Sequence, residues 1–236
     1  MGFVREKESM ADSLSQAARM LISLDREVYH ITWTSLKFAC ISVSIATAFS
    51  LPLGFYIGCR NFRAKKLIVA LLNTLMAMPT VVVGLLVYSF LSRSGPLGRL
   101  GWLYRPQAVI IGQSILCFPI IASMVHSALS KTDQRLLETL VTLGATPRQV
   151  FWMTLREARV AVLSALLAGF GRVIGEIGVS MMLGGNIRWY TRTITTAVAL
   201  EISRGEFELG LALGMVLLIL AFLVNFGLHG MVRHER

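Results

Sequence analysis

Two ionisable residues stand where charge is costly. Arg172 and Glu176 lie four residues apart inside an apolar block, Val160 to Leu183. That spacing puts both side chains on one face of a helix. A lone charge in hydrocarbon costs at least about 2.5–3.5 kcal/mol, so such residues usually pair and face the protein interior. Two readings stay open. Arg172 marks the path of a transported anion, its attraction tempered by Glu176, since a channel must not hold its cargo tightly. Alternatively, the two form an internal ion pair that locks this helix against its neighbours. Asn73 is a further candidate for the path; like Gln113, it more often bonds across helices.

Other chemistry finds little support. His126 and His229 are single and have no ligand cluster around them. Cys40, Cys59 and Cys117 show no paired metal-ligand spacing and read as small packing residues. No metal or other cofactor is expected. The sequence lacks the Gly-x-x-x-x-Gly-Lys-Ser/Thr loop that cradles ATP phosphates, so energy for any work has to come from a partner. An intramembrane enzyme would need a nucleophile and base, or metal ligands, at membrane depth. A gradient-driven secondary transporter with Glu176 as its proton site is a rival of another class.

The elements that must position these residues follow from composition. Of 236 residues, 55% are hydrophobic and 15% charged, where soluble domains carry roughly 25% charged residues. The deficit is concentrated in five blocks: Phe38 to Cys59, Leu67 to Ser92, Pro106 to Ser130, Val160 to Leu183 and Leu209 to Val232. Each suits a membrane crossing of about 20 apolar residues. Backbone polar groups in hydrocarbon must be satisfied within the segment, so these are helices; period-two alternation, the mark of a barrel, is absent. The expected class is an all-α polytopic membrane protein. The net charge of +10 sits in short loops between the blocks, as in basic membrane proteins, and not in a stripe that would engage nucleic acid.

Residues 1–30 have no apolar run of the ~7–15 residues that a cleavable signal uses, so the first block is expected to direct insertion. Within them, Met10, Leu14, Ala17, Ala18, Leu21, Ile22 and Val28 recur at helical spacing. That pattern predicts an amphipathic helix lying on membrane lipid or packed on the other spans. Pro52, Pro79 and Pro119 fall inside apolar blocks and are expected to bend or break them. Gly54 with Gly58, Gly171 with Gly175, and Gly210 with Gly214 have the spacing that lets helices approach closely. Apart from Arg172, Lys and Arg divide evenly between the two sides, so charge alone leaves orientation open. Arg188, Arg192 and Arg204 suggest an electropositive mouth or a meeting place for an acidic partner.

The longest polar connection, residues 131–159, is the informative one. Gly144 reads as the end of one short helix. Thr146 reads as the cap of a second, with Pro147 at its first position. Val150, Phe151 and Trp152 then give an apolar tip suited to a groove on another protein.

This connection resembles the EAA loop of binding-protein-dependent ABC importer permeases. Glu138 and Gly144 stand at that family's spacing, as does the run from Leu143 to Thr146; Thr139 and Leu140 replace the two alanines, and Glu157 falls near the place of a late proline. The resemblance runs from about residue 30 to the end. It implies a type I importer permease fold, with five transmembrane helices after an N-terminal interfacial segment (1–30 and 31–236). It implies that Glu138, Thr139, Leu140, Gly144, Ala145, Thr146, Pro147 and Phe151 form the loop received by a separate ATP-binding cassette ATPase. It further implies a homodimer, an extracytoplasmic binding protein, and a prokaryotic inner membrane location with N-terminus outside and C-terminus cytoplasmic. Within the family, Arg172, Glu176, Ile177 and Gly178, the run Met181 to Ile187, and the stretches Thr193 to Glu201 and Gly205 to Glu208 look like the molybdate and tungstate permeases, the tungstate branch in particular. The cargo expected is tungstate; molybdate, sulfate or phosphate are the alternatives.

Overall fold

The computed structural model describes residues 25–130, 139–140 and 142–233; among them the chain is helical, with no strand. The helix expected over residues 10–28 falls outside this range except at its end. There Asp25 caps a new helix, its carboxylate accepting from the N–H of Glu27 at 2.8 Å. That helix, α1 (Arg26–Cys59), runs 34 residues, about 51 Å at 1.5 Å per residue. It starts well before the apolar block that announced it.

The chain continues through α2 (Lys65–Met76), α3 (Thr80–Leu91), a 3-10 turn at Gly98–Leu100 and α4 (Pro106–Leu129). After the connection come α5 (Pro147–Glu157), α6 (Arg159–Ile174), α7 (Gly178–Gly184), α8 (Ile194–Arg204) and α9 (Phe207–Arg233). By length and composition α1, α4 and residues Phe207–Gly227 of α9 are able to cross a membrane alone. Two bent pairs, α2 with α3 at 98° and α6 with α7 at 60°, reach that length only together, which makes three such helices, or up to five, among the described residues.

Both breaks have local causes. Pro79 has no N–H and disfavours helix at Met78. The chain therefore tightens, with Ala77 and Met78 bonding three residues back, and restarts at Thr80. In the second pair Gly175 ends α6, and the buried Glu176 carboxylate accepts from Val179 N–H at 3.2 Å, capping α7. At the other two prolines there is no break: Pro52 and Pro119 lie within continuous helices. The two breaks abut each other. A Cβ on Gly178 would stand 2.9 Å from Thr80 Oγ1 and 3.3 Å from Glu176 Oε1.

α4 is the central element. Its Cys117, Ile121, Val125 and Leu129 form one buried cluster with Ala39 and Ala46 of α1, Ala165 and Val173 of α6, and Leu155 of α5. A second cluster joins Val83 and Val87 of α3 to Leu116 of α4 and Val179 and Leu183 of α7. A third joins Val28 and Ile31 of α1 to Ile194 of α8 and Leu213 of α9.

Polar side chains lace the same helices. Ser42 Oγ donates to the carbonyl of Ile110 at 3.2 Å and lies 3.1 Å from Gln113 Oε1; Gln113 Nε2 then donates to Ser180 Oγ of α7 at 3.1 Å. Gln113 is therefore a cross-helix bonder. Of the three glycine pairs, Gly54 with Gly58 brings two helices together within the chain. A Cβ at Gly54 would lie 2.7 Å from Val125 Cγ1 and 3.1 Å from the carbonyl oxygen of Ala122. At Gly171 and Gly214 no atom stands within 4 Å.

The seam between α1 and α4 is thus overfilled by any added side chain. Gly54→Leu is expected to cost about 1–3 kcal/mol through overpacking, lowering the thermal midpoint of the detergent-solubilised protein. Gly227→Leu, where nothing stands within 4 Å, is expected to leave that midpoint in place.

Candidate coupling element and buried ion pairs

The connection before α6 folds into a capped elbow. Thr139 and Leu140 are helical, and this turn closes at Gly144, whose φ of +80° suits glycine. Ala145 N–H donates back to the carbonyl of Leu140 at 2.9 Å, the 6→1 bond of a Schellman end. Two residues later the chain turns helical again. Thr146 N–H donates to Gln149 Oε1 at 2.7 Å while Gln149 N–H donates to Thr146 Oγ1 at 3.4 Å, a reciprocal capping box with Pro147 in the first turn. Glu138 lies outside the described residues.

α5 is two-faced, and its faces differ from the expected tip. Phe151 turns inward: its ring meets Phe55 of α1 edge-on at 4.9 Å, and Leu155 is buried in the central cluster beside it. Phe151 therefore anchors the elbow to the body. The outward apolar surface comes from Leu143, Trp152 and Met153, which are 78%, 59% and 52% exposed. Together with Arg148 and Gln149 they line an open cleft of about 690 Å³ across the elbow. Trp152 was legible in the sequence as part of the tip; Leu143 and Met153 were not, because only the angle between the two helices puts them on one side.

Arg172 and Glu176 are brought together. Arg172 Nη1 donates to Glu176 Oε2 at 2.6 Å, with side chains 36% and 3% exposed. Glu176 also caps α7, and its carbonyl accepts from Thr195 Oγ1 at 2.8 Å. The carboxylate is thus structural, while part of the guanidinium remains accessible. Asn73 is not part of this group. Its Oδ1 accepts from Ser123 Oγ at 3.2 Å, and it sits in a separate cleft with Asn61, Lys65 and Lys66.

At the opposite end from the elbow, the three arginines expected to form an electropositive mouth are paired. Arg188 grips Glu27 of α1 through two nitrogens, Nε to Oε1 at 2.8 Å. Arg192 bridges Glu27 at 3.4 Å and Glu201 of α8 at 3.6 Å, and Arg204 reaches Glu201 at 3.7 Å. Arg192 is 7% and Glu201 2% exposed. Trp189, at φ +64°, stacks beneath the guanidinium groups of Arg26 and Arg188. Burial, and then a bond to Glu206, push the Glu201 carboxyl above its ordinary value of 4.5. The bond to Glu27 raises Arg188 further above the usual arginine value. Sequence reasoning missed Glu27 and Glu201. Neither lies in an apolar block; no local spacing announces the pairing of Glu27 with arginines more than 160 residues away, whereas Arg204, three residues after Glu201 on the same helix, was a local signal for Glu201.

Among the described residues no three of His, Cys, Asp and Glu come together as a metal site. The arrangement has a capped elbow at one end, an ion-paired clamp at the other, and two broken helices between them.

This is the architecture of an ABC importer permease. Over 92% of its length the chain superposes on a subunit of the inward-facing MetNI methionine ABC transporter, covering 98% of that subunit with a TM-score of 0.70 at 21% identity, a likeness of fold. Residues 50–234 match the model of the family described as binding-protein-dependent transport system inner membrane components, and the chain belongs to that family. It is 40% identical over 219 residues to the tungstate uptake system permease protein TupB of Peptoclostridium acidaminophilum, covering 92% of this chain and 96% of that one. With the TupB of Campylobacter jejuni it shares 36% identity over 94% of its length and 93% of the relative's. The molybdenum transport permease ModB of Haemophilus influenzae is more distant, at 28% identity over 67% of this chain and 76% of the relative. As a permease component of an inner membrane importer, the chain works with an ATPase and a binding protein and leaves ATP hydrolysis to a separate subunit.

The buried clamp makes stability depend on pH. Arg192→Met leaves Glu201 with Arg204 as its remaining cation, a buried carboxylate partly uncompensated. A carboxyl held above its unfolded value destabilises the fold in its charged form, and that cost fades as pH falls through the raised pKa toward 4.5. Thermal midpoints of the parent and Arg192→Met proteins are expected to differ most at neutral pH and to converge as pH falls toward the ordinary carboxyl value of 4.5.

Proposed function

We propose that the chain is the permease subunit of a tungstate importer. Near-complete alignment with two tungstate uptake permeases at 36–40% identity supports the cargo. The observation that carries the mechanism is the elbow. A Schellman end and a capping box fix its shape, Phe151 fastens it to α1, and Leu143, Trp152 and Met153 face outward.

In this reading residues 1–30 form an interfacial segment and 31–236 the permease domain. Each bent pair counts as one span, giving five, with the N-terminus outside and the C-terminus in the cytoplasm. Two copies enclose the route. The elbow, with Glu138, Thr139, Leu140, Gly144, Ala145, Thr146 and Pro147 in its frame, seats in a groove of the ATPase. Closure of the ATPase dimer drags the elbow; Phe151 transmits the displacement to α1, and Leu155 to α4 and α6. The α6–α7 break then swings the accessible side of Arg172 along the anion's route, with Glu176 limiting how tightly it holds. A binding protein delivers the cargo to residues 93–105 and 184–208. Selectivity rests largely with that protein, so the permease needs only a weakly attractive path.

The test pairs assembly with transport. Gly144→Trp strains a position at φ +80°, and Trp152→Ala with Leu143→Ser removes the exposed apolar grip. Both variants are expected to insert normally, to retain ATPase about tenfold less well on purification, and to lose tungstate uptake into proteoliposomes. Undiminished uptake by both would refute the coupling role.

A further inference from the structure

Glu201 is the most deeply buried acid of the clamp, and one of its oxygens lacks a donor. Oε1 faces Arg192 at 3.6 Å and Arg204 at 3.7 Å, while Oε2 is buried with no hydrogen-bond partner. Leaving a buried charged oxygen without a donor is costly.

The residue that folds back onto it is another acid. α8 ends in a tight turn: Gly205 sits at φ +78°, and Glu206 N–H donates to the carbonyl of Glu201 at 3.0 Å. Across that turn the carboxyl of Glu206 comes within hydrogen-bond reach of Glu201. Two carboxylates cannot bond each other, since both only accept. One proton between them supplies the missing donor and removes the repulsion of like charges. Glu206 is exposed, so the pair links the buried carboxyl to solution.

The surrounding charges come from every neighbouring element. Arg188 and Arg192 lie on the connection from α7 to α8, Arg204 on α8 itself and Glu27 on α1, with Glu208 in the first turn of α9. Arg26 faces Trp189 instead. The arginines favour an ionised Glu201, while burial and Glu206 oppose them. The opposition wins, since the carboxyl is held above its ordinary 4.5.

We propose that Glu201 and Glu206 form a proton-binding site, one proton shared between the two carboxyls and exchanged with the solution at this end of the molecule. Its occupancy sets the charge that the clamp presents. With every group ionised, Glu27, Glu201 and Glu206 match Arg188, Arg192 and Arg204. With the proton held, one positive charge is left over. Arg188 stays with Glu27, and Arg192 is buried. The surplus therefore falls to Arg204, 53% exposed, which is free to meet an anion arriving from solution. This charge role rests on the chain being an anion importer; the proton site does not.

The experiment reads the carboxyl directly. Infrared difference spectra of the assembled importer in lipid nanodiscs follow the C=O stretch that a protonated carboxyl has and a carboxylate lacks. The step that Glu201→Gln removes belongs to the pair. In the parent it is expected to be lost as pH rises, with a midpoint above 4.5. Glu206→Gln keeps an amide donor at an exposed position. It is expected to lower the midpoint by at least about one pH unit, the coupling at which two sites titrate as a pair. Glu157→Gln, beside the elbow, is expected to leave the step unchanged. If Glu201→Gln does not assemble, the shift in Glu206→Gln decides. A midpoint at or below 4.5 overturns the proposal. So does an unchanged midpoint in Glu206→Gln, which would make Glu201 a lone buried carboxyl. Tungstate uptake into vesicles, taken as the ratio of parent to Glu206→Gln, is expected to fall severalfold as external pH rises through the midpoint. A ratio flat across it overturns the charge role. An importer that shows the infrared step and moves no tungstate confirms the proton site and tells against the proposed cargo.

Discussion

Backbone amides that enter hydrocarbon must find partners inside the protein, and here one long helix organises how that is done. α1 spans 34 residues without a break. Its first turn carries Glu27, held by Arg188 and Arg192, and its last turns carry Phe55, held against Phe151. Between them, serines and two glycines bind it to α4 so closely that no side chain fits at Gly54. The ion-paired clamp and the elbow are therefore opposite ends of one strut.

Against this strut stand the two broken helices. Each break leaves backbone groups without helical partners, and each is repaired locally, by tightened turns before Pro79 and by the Glu176 carboxylate at α7. Their abutment at Gly178 and Thr80 places both weak points in one region. Irregular backbone is tolerated at membrane depth where protein buries it or it borders a cavity. The pair Arg172 and Glu176 belongs here. The buried Glu176 carboxylate holds Arg172 and caps α7, while part of the paired guanidinium stays accessible.

The polar ends obey different electrostatics. At the clamp, Arg192 and Glu201 are buried and paired while Arg188 and Arg204 reach in from the exposed side, which makes removal of a buried partner costly. At the start of α2, charges are exposed and unbalanced, which gives attraction without geometry.

How much of this was legible in the residues alone depends on the range of the force concerned. The absence of charge from long blocks determined that the chain is helical and membrane-embedded, since hydrocarbon rejects unpaired backbone groups whatever the fold. Gly144, Thr146 and Pro147 marked the elbow, because capping is settled within a few residues of chain. Tertiary structure decided the rest. It turned Phe151 inward, left Leu143 and Met153 exposed, and matched Glu27 with arginines that sequence reasoning had left unpaired. These outcomes turn on which surfaces meet across long stretches of chain, and packing and ion pairing act between neighbours in space that no local spacing encodes.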